Sequence, residues 1–180
     1  MALPTLGTLT SLPAAERADL LAPPVAALLA QWQHAAEVAV VEIDPTLADT
    51  AAMTEAYDLP LEASANCVVV GGSRAGEERV AACVVRADTR ADVNSAVRKT
   101  LDVRKASFLP TEQAVGQSGM EHGGITPLGL PQSWRLLLDD RVPAIEVAVL
   151  GSGVRRSKLL VPGALLADLP GAEVVAGLAR

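Results

Sequence analysis

The stretch GMEHGGITPLGLP, Gly119 to Pro131, holds four glycines and two prolines. That density excludes a regular helix or strand. Glycine removes side-chain bulk and lets backbone approach a ligand, while proline fixes φ and removes a donor. Gly123 and Gly124 can therefore present unhindered N–H groups, with Pro127 stiffening the exit. A preorganised row of donors suits a carbonyl or a developing oxyanion. A valine at Gly124 is expected to intrude where such a ligand approaches. The same composition also builds a purely structural turn, and spacing alone leaves both readings open.

Other chemical engines are absent from the sequence. There is no G-x-x-x-x-G-K-[ST], and no G-x-G-x-x-G following a strand. His34 and His122 lie in separate regions, and Cys67 and Cys83 have neither metal-type spacing nor a disulfide framework. No metal and no cofactor are expected. A Ser-His-Asp arrangement would need His122 to find a serine and an acid, which no spacing supports.

The elements that must position the loop alternate between helix and strand. Ala14 to Leu21 carries helix formers, Pro23-Pro24 breaks the run, and Val25 to Gln33 resumes it. Val38 to Ile43 reads as a strand. Asp44-Pro45 is a helix start, and that helix is expected to run to about Tyr57. Asn66 to Val70 and Arg79 to Arg86 read as a hairpin joined by a turn-rich loop. Folding it about Ala75 predicts Cys67 opposite Cys83, as two reduced thiols. Asp92 caps a helix whose apolar face is Val93, Ala96, Val97 and Leu101. Ala106 to Leu109 is a short strand ended by Pro110, and a short helix begins near Thr111. Trp134 to Leu138, Ile145 to Leu150 and Leu159 to Val161 read as strands between Gly/Pro turns. Pro162 to Leu169 predicts a last helix, and Glu173 to Val175 a closing strand. Without a steady β-α-β rhythm, the expected class is α/β in the α+β sense. It is a mixed β-sheet closing into a partial barrel with flanking helices. One domain over 1–180 is expected, with an N-terminal helical extension at about 1–36.

Half of the 180 residues are hydrophobic and one fifth are charged, a globular balance. Only two Trp, one Tyr and one Phe are present, so Ala, Val and Leu must fill the core. That scarcity argues against an aromatic stacking platform for single-stranded nucleic acid. The net charge of −6 is unevenly spread. Residues 1–65 carry nine acids against the single base Arg17, while residues 66–180 carry twelve acids against fourteen bases. Arg98, Lys99, Arg104 and Lys105 form one basic group, and Arg155, Arg156 and Lys158 another. These permit a local polyanion site but exclude a broad DNA surface. No basic leader and no spanning apolar run are evident, so a cytoplasmic protein without membrane contact is expected.

The order GMEHGGITPLGLP, then LLLDD, then GSGVRRSKLLVPGALL resembles the YbaK family, the prolyl-tRNA synthetase-associated or INS-like editing domains. Gly123 to Pro127 fits the family's G-x-x-x-P substrate loop. Asp139 matches the acid ending its following strand, and Gly151-Ser152-Gly153 with Arg155-Arg156 looks like its second glycine loop. The similarity covers roughly Asp49 to Leu178. It implies a trans-acting aminoacyl-tRNA deacylase that hydrolyses the ester of a mischarged small amino acid. Mischarged aminoacyl-tRNA is the implied partner, with an aminoacyl-tRNA synthetase as a second. Asn66, Gly123, Gly124, Pro127 and Lys158 are the catalytic candidates. Ile125, Thr126, Asp139, Gly151, Ser152, Gly153, Arg155 and Arg156 are the substrate-binding ones.

One departure stands out. The family's functional lysine begins the first hairpin strand, where this chain has Asn66. Asparagine donates and accepts hydrogen bonds but carries no charge. Lys158, after the second glycine loop, is the candidate to replace it. The alternative is a module that binds aminoacyl-tRNA, or a small aminoacyl ligand, without hydrolysing it.

Overall fold

The computed structural model describes residues 2–180. In chain order its strands are β1 (Leu12–Pro13), β2 (Ala39–Glu42), β3 (Ala65–Arg74), β4 (Glu77–Arg86) and β5 (Ala106–Phe108). They continue with β6 (Arg135–Asp139), β7 (Ala148–Gly151), β8 (Ser157–Val161) and β9 (Ala172–Val175). The α-helices are α1 (Pro23–Leu29), α2 (Thr50–Ala56), α3 (Arg98–Leu101) and α4 (Thr111–Ser118).

Two sheets form, as the mixed α/β expectation requires. One is antiparallel, in the order β1-β2-β8-β7; the other is mixed, in the order β5-β3-β4-β6-β9, with β4/β6 and β6/β9 parallel. Strand alternation distributes the apolar residues among three layers. Val40, Val69, Val84, Leu138, Leu150 and Leu159 meet between the sheets. Val70, Ala81, Val97, Leu101 and Leu137 pack beyond the mixed sheet, under α3. Val41, Met53 and Leu160 pack beyond the antiparallel sheet, under α2. Each fully buried Val or Leu contributes roughly 1.5–3 kcal/mol, which lets a core nearly free of aromatics hold.

Several expectations change in detail. Pro23 and Pro24 begin α1 rather than break a helix, because proline suits the first helical turn. Ala14 to Leu21 forms 3-10 turns, and Ala14, Leu20, Leu21, Val25 and Leu29 belong to the central core. The N-terminal segment is thus packed into the fold, with β1 paired to β2. The helix expected from Asp44 to Tyr57 is two pieces. Asp44 caps a 3-10 turn over Pro45–Leu47 through Thr46 N–H (2.9 Å), and α2 starts afresh at Thr50. The last helix is a 3-10 segment, Gly163–Asp168.

The hairpin forms, but its register is one residue from the expected one. Cys67 faces Val84, and Cys83 faces Val68. Because side chains alternate, one residue of slip sends the two cysteines to opposite faces of the sheet. Cys67 packs against the central core and Cys83 lies in the layer under α3. Burial and the neighbouring Cys83 push the Cys67 thiol well above its usual range, and burial pushes Cys83 up to about 12. Folded protein treated with a mild oxidant is expected to keep two titratable thiols, counted after denaturation. An intramolecular disulfide would refute this register.

Candidate functional site

The seam between the sheets makes the site. β3 pairs with β4 along its whole length, but its other edge meets β5 only from Val70 to Gly72. β7 pairs on one side with β8, and its other edge touches β3's approach only through the bridge Ser64↔Val149. A cavity of about 360 Å³ opens where these edges part. α2 and α4 wall it, and it is lined by Asn66, Gly123, Ile125, Gly151 and Lys158. Five residues singled out from the sequence, drawn from four separated segments, are thereby brought together.

Lys158 enters from β8, between Val41 of β2 and Gly151 of β7. It sits inside a sheet rather than on an edge, and only 8% of it is exposed. Among the described residues no ion pair or hydrogen bond holds its ammonium group. Burial lowers its pKa, Arg155 lowers it further, and Asp49 pulls it back up. A partly desolvated cation facing a cavity is a strong attractor for negative charge. Asn66 is half-buried on β3, and its Oδ1 accepts from Thr50 Oγ1 (3.1 Å). This bond leaves the Asn66 amide N–H groups for a ligand.

The two glycine loops are stitched to each other. Glu121 N–H donates to Gly153 O (2.8 Å), Gly153 N–H to Gly124 O (2.8 Å), and Arg155 N–H to Glu121 Oε2 (2.7 Å). Gly124 N–H donates to Glu121 O (2.9 Å), so it is spent within the loop. A Cβ on Gly124 would press on Gly153 and Val154 backbone at 3.0 Å, away from the cavity. Gly124 is therefore corrected from ligand donor to loop joint. Gly123 differs. It is exposed, has φ +78°, lines the cavity, and its N–H has no protein acceptor among the described residues.

Other candidates lie elsewhere. Pro127 lines a separate hollow with Trp32 and Trp134. Thr126 is fully buried, and its Oγ1 has no partner. Ser152 is fully buried, bonded through Oγ to Ser157 Oγ (2.7 Å) and Ser157 O (3.0 Å). Gly153 packs against Ala22 and Met120. Asp139 is buried at the end of β6 and accepts from Arg141 Nε (2.6 Å) and Ala179 N–H (2.8 Å). Burial alone would raise its pKa, but these hydrogen bonds outweigh it and hold the carboxyl below its usual range. It clamps the C-terminal segment and does not reach the cavity. Arg155 braces the loops through His122 O and Pro45 O, and Arg156 bonds Asp19 O.

The sequence reading missed Asp49, Thr50, Ser64, Cys67, Phe108 and His122, all of which line the cavity. Only the break in the helix after Leu47 could have signalled Asp49 and Thr50. The raised thiol pKa makes Cys67 a neutral wall residue rather than a nucleophile.

The sequence profile of the aminoacyl-tRNA editing domain matches residues 44–169. The chain belongs to the aminoacyl-tRNA editing domain family. The matched region contains every residue lining the cavity, from Ala48 to Lys158. No curated protein matches the sequence. Among solved structures, a proposed trans-editing enzyme for prolyl-tRNA synthetase aligns with a TM-score of 0.73 at 17% identity, over 86% of this chain and 94% of that one. A hypothetical protein aligns with a TM-score of 0.68 at 21% identity, over 78% and 90%. At such identities the likeness speaks to the fold, which is that of the editing domain. Within the described residues no helix is long and apolar enough to cross a membrane, and no group of three His, Cys, Asp or Glu is placed to hold a metal.

Proposed function

We propose that this editing domain acts in trans as a deacylase, hydrolysing the ester between a small mischarged amino acid and its tRNA. The observation that carries the reading is the unpaired ammonium of Lys158 in the same cavity as the free N–H of Gly123. The ester carbonyl sits between these donors. As water adds to the carbonyl carbon, negative charge grows on the oxygen and is met by both. The acyl–oxygen bond then breaks, the amino acid leaves, and the ribose hydroxyl takes the proton. Ala48, Ala65, Ala114 and Val149 line the acyl end with Met53, which favours a small side chain by exclusion.

A panel of mischarged tRNAs incubated with purified protein tests this directly. Release of a small amino acid is expected from at least one tRNA. The second reading, binding without turnover, is favoured by Asn66 standing where the family has lysine. Tight binding of charged tRNA with no release would establish it, and neither binding nor release would overturn both.

Asn66 is expected to orient the ester rather than carry charge. Asn66→Ala should therefore slow release by about tenfold, the loss of one neutral hydrogen bond. Asn66→Lys in a Lys158→Ala background should restore part of the lost rate, by returning a cation to the same cavity. If the double variant is as inactive as Lys158→Ala alone, the two positions are not interchangeable sources of charge.

A further inference from the structure

The cavity does not end at Asn66. A second hollow of about 370 Å³ lies beyond it, and Asn66, Val68 and Phe108 line both. The two therefore form one trough crossing the open edge of β3. We propose that the far half holds the single-stranded 3′ end of the tRNA, with a base stacked on Phe108 and phosphates held by Arg90 and Arg180. The proposal rests on the deacylase reading and adds the path by which the nucleic acid reaches the site.

Phe108 is 63% exposed, whereas Trp32 and Trp134 are 8% and 7% exposed. Nothing in folding favours leaving the one phenylalanine of the chain in water. β5 fixes it opposite Val70, at the rim, where its ring is available for stacking. Val68, Val85 and Val93 supply an apolar floor behind it.

The cations of the far wall are uncommitted. Arg86, Arg135 and Arg141 are each tied to a carboxylate, by Asp88, Glu173 and Asp139. Arg90 and Arg180 have no such partner among the described residues, yet their backbones are locked together by reciprocal N–H···O bonds of 2.9 Å. That lock sets both side chains at one rim. The nearby acids are already engaged: Asp88 by Arg86, and Asp92 by the N–H of Ser95 (3.3 Å). The order along the trough matches the order of groups in the ligand. Acyl ester meets Lys158 and Asn66, base meets Phe108, and phosphate meets the arginines.

The test pairs two measurements on Phe108→Ala, Phe108→Leu and the double variant Arg90→Ala/Arg180→Ala, each confirmed as folded by thermal melting. The first is the affinity for a fluorescent, uncharged RNA trimer ending in CCA. The second is kcat and KM for charged tRNA, read relative to hydrolysis of a nucleotide-free aminoacyl ester. Removing the ring is expected to weaken trimer binding and raise KM by about 5- to 100-fold, the scale of one stacked base, with kcat changing far less. Phe108→Leu keeps apolar bulk without stacking and should behave like Phe108→Ala. The arginine double variant should weaken binding and flatten its salt dependence. Trimer binding that falls in these variants supports the trough even if no ester turns over, so failure of the deacylase reading is distinguishable. Affinity and KM unchanged in all three variants overturn it.

Discussion

Lys158→Ala is expected to lower the single-turnover rate of deacylation by about 100- to 1,000-fold, the scale of losing one oxyanion-stabilising group. The expectation follows from placement: the ammonium is buried, unpaired and aimed at the seam cavity. Its pKa lies below the ordinary 10.5, so the cation is lost as pH rises through that lowered value. The pH–rate profile should therefore fall on its alkaline side earlier than a solvent-exposed lysine would require. Stability takes the opposite sign. A lysine whose pKa is depressed on folding binds fewer protons in the native state than when unfolded. Stability thus rises with pH, and at neutral pH the buried charge is a cost. Lys158→Met, which keeps the volume without the charge, should melt at or above the parent's temperature while being inactive. Full activity in Lys158→Ala, or a rate indifferent to alkaline pH, would remove the ammonium from the mechanism.

Gly151→Val is expected to part the two glycine loops. A Cβ at this position would lie 2.3 Å from Gly124 O, 2.9 Å from Gly124 C and 2.9 Å from Ile125 O. All three are backbone atoms, which cannot swing aside as a side-chain tip can. The cost is put at about 3 kcal/mol, at the upper end for overpacking. That corresponds to a fall in Tm of roughly 6–12 °C for a chain of this size. Activity should fall further than stability alone explains, because the displaced loop carries the Gly123 N–H. Gly116→Ala is the matched control. It lies on α4 with open space around it, and it should raise stability by about 0.5–1 kcal/mol. A Gly151→Val protein with the parent's Tm and rate would show that the loops do not depend on this contact.

Local pattern made much of this legible. β-Branched runs marked β2, β3 and β4, apolar runs between Gly/Pro turns marked β6 and β8, and the glycines marked both loops, because these signals depend on near neighbours in the chain. The family resemblance rested on the same loops, and the matching profile bears it out. Hairpin register was not legible. It turned on whether the turn centres at Ala75 or between Ala75 and Gly76, a half-residue difference that moves Cys67 to the other face. Nor could spacing tell a glycine whose N–H is left free at the cavity from one that spends it on a turn within its own loop. Gly123 and Gly124 are adjacent and chemically identical, yet the turn back to Glu121 O takes the N–H of Gly124 and leaves that of Gly123 free. The sequence by itself determined the strands from β2 onward, the glycine loops and the family. Only the tertiary structure decided that Lys158 faces Asn66's cavity, that Asp139 clamps the C-terminal segment, and that Phe108 stands in solvent. Each of those depends on which strand edges are left unpaired, and edge pairing is set by contacts between residues far apart in the chain.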